Sequence, residues 1–138
     1  MLAVTSYPQG YIDSCRTRTD AQVAAYRAVA AAAGKSKAST VDTLDDQFFK
    51  SLTLLLDYYF VHRTRAMEGK DGNPLNEVRM LCNSILGHDS VLTADKSIKY
   101  KPEASVLKLN IGDAIRIDEK QFMALSKAFF AELQRKFR

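Results

Sequence analysis

Residues 43–87 read TLDDQFFKSLTLLLDYYFVHRTRAMEGKDGNPLNEVRMLCNSILG, and this stretch decides the fold. Set at about 100° per residue, Asp46, Lys50, Thr53, Asp57 and Thr64 form one narrow polar strip. Almost everything else between Leu44 and Val61 is apolar. A helix with so thin a strip must be covered on several sides, so residues 43–66 are expected as the central helix of the core. The turn after it is chemically specified. Gly69 and Gly72 tolerate positive φ, Asn73 suits an N-cap and Pro74 suits the first helical position. A second helix over 74–86 follows, with Leu75, Val78, Leu81, Cys82, Ile85 and Leu86 on one face. The short connection predicts an antiparallel helical hairpin.

Outward from the hairpin, Thr19 and Gln22 fit a capping box, predicting a peripheral N-terminal helix over 19–33 that stops at Gly34. Residues 1–12 contain Pro8 and Gly10 without periodicity and are expected as a flexible arm, and residues 34–40 as a linker. Gly34-Lys35-Ser36 resembles the end of a phosphate-binding loop, but Val29 stands where the first glycine should be and a helix precedes it. Between 97 and 117, the pieces Ile98–Tyr100, Val106–Leu109 and Ala114–Ile117 are short, β-branched or alternating, which predicts a small antiparallel sheet. Asp118 and Gln121 open a C-terminal helix over 119–137 with an apolar face from Phe122 to Phe137. The expected class is therefore a predominantly helical α+β fold, with residues 1–138 as a single domain.

Composition bounds the function. Of 138 residues, 46% are hydrophobic and 26% charged, as in ordinary globular chains, with a net charge of +4 and no long cationic run. Two cysteines, Cys15 and Cys82, make neither a disulfide framework nor a zinc-binding pair. No basic, apolar leader pattern opens the chain, and the apolar run Leu52–Val61 falls short of the roughly 20 residues a membrane span needs. A cytoplasmic protein without membrane attachment is the expectation.

The polar residues around the hairpin turn are the candidate site: His62, Arg63, Arg65, Glu68, Asp71, Asn76, Glu77 and Arg79. On the helical wheel His62 aligns with Leu44 and Leu55, so a regular helix would aim its imidazole at the core, with Glu68, Asp71 and Glu77 as neighbours able to tune it. Arg63, Arg65 and Arg79 converge near the first turn of the second helix, where free N–H groups favour an anion. The competing explanation pairs these arginines with the three carboxylates, whose charge balances theirs. No spacing calls for a metal or cofactor; the Glu-x-x-His pair of di-iron bundles is missing. His88, one residue past Gly87, is expected on a surface loop.

These residues favour a non-enzymatic binding or interaction module, with a protein partner or small anionic ligand at the hairpin turn and a homodimer through the apolar surface of the central helix. One alternative is a small enzyme or anion-binding protein using His62 with an arginine clamp. Another is a nucleic-acid-binding accessory protein using Lys96, Lys99, Tyr100, Lys101, Lys108 and Arg116, with Arg135, Lys136 and Arg138. It is not favoured, because lysines on a half-buried sheet also discourage edge pairing.

Overall fold

A computed structural model describes residues 3–34 and 38–138, with the backbone alone considered for 38–42. Five α-helices build it: α1 (Gln9–Ala33), α2 (Ala38–Tyr59), the four-residue α3 (Arg65–Glu68), α4 (Pro74–Gly87) and α5 (Glu119–Phe137). The hairpin helices α2 and α4 pack on each other, and α5 lies against α1, α2, α3 and α4.

The sequence periodicities explain this packing. In α5 the buried residues Phe122, Leu125, Ser126, Phe129, Phe130, Leu133 and Phe137 recur every three or four positions. Phe49, Leu52, Leu56 and Phe60 form the matching stripe of α2 and its exit turn. At one end, Phe60 meets Tyr7, Phe129 and Phe130 through ring contacts of 5.0–6.0 Å. At the other, Tyr26 and Phe49 stand edge to face at 4.8 Å, and Phe49 meets Phe122 at 5.6 Å. Offset and edge-to-face pairs of this kind add to the area they bury.

The fold is helical rather than α+β. The described residues contain no β-strand, only isolated bridges at Val4–Arg63 and Val91–Ala114. The expected sheet over 97–117 fails because each of its segments finds backbone partners elsewhere. The Lys99 amide donates to the Lys70 carbonyl, the Ile115 amide to the Ser90 carbonyl and the Ile117 amide to an Asp46 carboxylate oxygen. A 3₁₀ turn occupies Pro102–Ala104, and Lys108 adopts φ 55°, breaking the second extended run. Ile98, Ile115 and Ile117 still face the core, so the apolar signal was real but served irregular chain.

The N-terminal helix also differs. It begins at Gln9, behind Pro8, and Thr19 lies mid-helix, where its hydroxyl donates to the Cys15 carbonyl rather than capping. Ile12 and Cys15, in and just after the expected arm, are wholly buried, so α1 belongs to the core and is not peripheral. Ahead of it, the Val4 amide donates to the His62 carbonyl and the Tyr7 amide to the Phe137 carbonyl. Of the expected linker, residues 35–37 lie outside the described residues, and so do Lys35 and Ser36 of the phosphate-loop resemblance. Among the described residues, no helix is long and apolar enough to cross a membrane.

Candidate functional site

The turn between α2 and α4 is built around one carboxylate. The central helix ends at Tyr59, not near residue 66, because Arg63 folds back beneath it. Its Nη1 donates to the Phe60 carbonyl at 3.0 Å and its Nη2 to Asp57 at 2.8 Å, so the last turn closes on its own side chain. Arg63 Nε then donates to Glu68 at 2.9 Å, between side chains that are both fully buried. Arg79 adds a second fork onto Glu68, with Nη2 at 2.6 Å and Nε at 3.0 Å. Asn76 Nδ2 donates at 2.7 Å to Glu68 Oε2, the oxygen that also accepts from Arg79 Nε.

The electrostatics follow from this geometry. Burial pushes the Glu68 carboxyl upward, but the Arg79 hydrogen bond, the charges of Arg63 and Arg79 and the Asn76 amide together hold it below the ordinary carboxylate range. Burial opposes the charge on Arg79, and Glu68 restores it, leaving its pKa raised. Two guanidinium groups thus face two carboxylates, Glu68 and Asp57, inside the protein. No net charge is left for an external anion.

The first turn of α4 is equally occupied. Asn73 Oδ1 accepts from the Leu75 and Asn76 amides, and Pro74 has no amide hydrogen to offer. Asn73 Nδ2 donates to the Glu68 carbonyl, which also accepts from Lys136 of α5. Gly72 approaches the chain so closely that a Cβ there would stand 2.7 Å from the Lys99 carbonyl oxygen, at φ 87°.

The structure therefore brings together Arg63, Glu68, Asn76 and Arg79 and leaves the other predicted residues apart. His62 is exposed, and among the described residues its ring has no hydrogen-bond partner. The wheel that aimed it at the core assumed a helix that stops three residues earlier. Arg65 is exposed and reaches Ser97 at 3.2 Å. Asp71, held low chiefly by the Asn73 amide, is an exposed turn residue. Glu77 is buried but faces away from the arginines, accepting the Val106 and Leu107 amides at 2.8 and 3.0 Å. Burial raises its pKa, and these two amides hold that rise in check. It anchors the loop that replaced the expected sheet.

The remaining candidates sort in the same way. His88 is exposed at the rim of a shallow polar depression with Asp95 and Lys96. Cys15 and Cys82 are buried, which raises both thiols and disfavours the reactive thiolate. Among the described residues, no group of three His, Cys, Asp or Glu side chains could hold a metal ion. Tyr100 is half-buried and its hydroxyl donates to the Leu109 carbonyl, so its ring packs against the core and offers no stacking platform.

Sequence reasoning expected an apolar contact surface on the central helix but not which side chains form it. Tyr58 is 70% exposed and Leu86 74% exposed, although both belong to stretches expected to be covered. They line one apolar groove of about 440 Å³ together with Val61, Leu54, Leu55 and Cys82, across the seam between α2 and α4. The signal was available in the central helix, which carries more apolar residues than its packed stripe of Phe49, Leu52 and Leu56 requires. Comparison of this chain with protein-family models, with curated proteins and with solved structures finds no match.

Proposed function

We propose that this chain is a non-enzymatic interaction module that associates with a second copy of itself through the α2–α4 face. The observation that carries this reading is the pair Tyr58 and Leu86, two large apolar side chains exposed beside one apolar groove. Contiguous exposed apolar surface is a feature of contact sites, and here Tyr58 and Leu86 adjoin the same groove instead of standing singly. A two-fold axis over the seam would set each Leu86 against the partner's Leu54–Leu55 groove, so one patch serves both subunits. The enzyme reading loses support because His62 and the arginines do not face a common space. The anion-site reading loses support because the guanidinium groups already hold carboxylates.

Light scattering across a concentration series tests the proposal. The expected result is a mass rising toward twice that of the chain, with Leu86→Glu remaining at the monomer mass. That variant should still melt cooperatively, without the rise in melting temperature with concentration that dimerisation gives the wild type. A monomer throughout the series overturns self-association.

A further inference from the structure

A second open groove lies on a different side of the molecule, between α1 and α5, with a volume of about 560 Å³. That volume falls within the range of small-molecule sites. Its floor is Phe130 and Ser126 and its walls are Arg16, Asp20, Met123 and Lys127. The groove exists because Ala124 and Ala131 stop short where larger side chains would have filled the space.

Three features point to a ligand. The Arg16 guanidinium carbon lies 5.0 Å from the centre of the Phe130 ring. Its nearest carboxylate, Asp13, is 4.0 Å away and already accepts from Gln9, so among the described residues the Arg16 donors make no hydrogen bond. A guanidinium resting over an aromatic face keeps its N–H donors available to an acceptor in the groove. Ser126 is only 6% exposed, yet its hydroxyl has no partner among the described residues and lines the groove. The hydroxyl is not among the fully buried polar atoms left without a partner, so it reaches solvent through the groove, where a ligand oxygen would take the place of water. Finally, the charged side chains lining the groove are Arg16, Lys127 and Asp20, so cations outnumber carboxylates on its walls, while Asp13, outside the lining, stands 4.0 Å from Arg16.

We propose that the α1–α5 groove binds a small amphipathic monoanion. Its apolar part would lie on Met123 and Phe130, and its carboxylate would meet Arg16 and Lys127 with the Ser126 hydroxyl donating to it. The groove runs along α5 from Met123 to Ala131, about 12 Å at the rise of an α-helix, which suits a short chain or a compact ring system.

Decanoate is the probe and 1-decanol its uncharged counterpart, followed by amide shifts in a nuclear magnetic resonance titration. Decanoate should saturate at one site, moving amides around residues 16–20 and 123–131, with 1-decanol weaker by about tenfold. Arg16→Ala should weaken decanoate by about tenfold. Ala131→Trp, a change at an exposed position, should fill the groove and abolish binding while the melting curve stays in place. Leu86→Glu should leave decanoate binding intact. Absence of saturation, equal affinity for 1-decanol, or binding that survives Ala131→Trp overturns the assignment. Loss of binding in Leu86→Glu would put the ligand on the α2–α4 face and overturn it as well.

Discussion

Two arginines lie over two consecutive phenylalanines of the same helix and have opposite fates. Arg63 sits 5.6 Å over Phe129 and Arg16 sits 5.0 Å over Phe130. Arg63 is fully buried and donates to Asp57, Glu68 and the Phe60 carbonyl, so its charge and donors are used within the fold. Arg16 is only half-buried, shares the same stacking and keeps its donors open. Stacking on an aromatic ring therefore does not separate a structural arginine from a binding one. The disposition of its in-plane donors does.

The largest expected effect comes from breaking the closed side of this comparison. Glu68→Gln leaves the buried Arg63 with Asp57 alone and the partly buried Arg79 without a paired carboxylate, and unfolding by denaturant should show a loss of about 3–5 kcal/mol. The same group sets an acid limb. Folding lowers the Glu68 pKa, so its contribution is complete above the ordinary carboxylate range and is lost as pH falls through the native value. Stability measured against pH should fall on the acid side for the wild type, and Glu68→Gln should flatten that fall.

Gly72→Ala comes next, because it forces an unfavourable φ and places a methyl group against the Lys99 carbonyl. A loss of about 2–3 kcal/mol is expected from denaturant unfolding. Glu77→Gln should cost about 1–2 kcal/mol, since an amide oxygen can accept from Val106 or Leu107 while its NH₂ faces the other donor. Faster hydrogen exchange at those two amides would locate the damage. Smallest of all, Arg16→Ala should change stability by about 0.5 kcal/mol, the worth of an exposed cation–π contact. A loss as large as that of Glu68→Gln would erase the distinction between the two arginines.

What could be read from the sequence was what the chain decides locally. Asn73 and Pro74 start α4 as expected, and Asp118 with Gln121 closes a capping box at the head of α5. These signals use groups three or four positions apart. The end of α2 was not legible, because Arg63 fixes it through a side chain that also serves Glu68. The absent sheet has the same cause, with amides satisfied by Glu77, Lys70, Ser90 and Asp46, none of them adjacent in sequence. The early start of α1 was legible in principle: Ile12, Cys15, Thr19, Val23 and Tyr26 are its buried stripe. Cysteine and threonine in that stripe hid its period, and Pro8 and Gly10 suggested coil where Pro8 in fact precedes the first turn. The site prediction suffered from the reverse problem. Arg63, Glu68, Asn76 and Arg79 do meet, but a cluster's composition cannot tell whether its charges satisfy one another or wait for a ligand.

The bond from the Tyr7 amide to the Phe137 carbonyl has a consequence for how the molecule is made. It joins positions 130 residues apart (137 − 7), and Gln9 and Gln134 link beside it. During synthesis α1 emerges before α5, and its seat against α5 does not exist until residues up to Phe137 have left the ribosome. Until then Ile12, Cys15 and Tyr7 lack one wall of their environment. Closure of the core is therefore a late event governed by contacts of high sequence separation, which slow folding. A chaperone or nascent-chain factor would encounter α1 as an uncovered amphipathic helix.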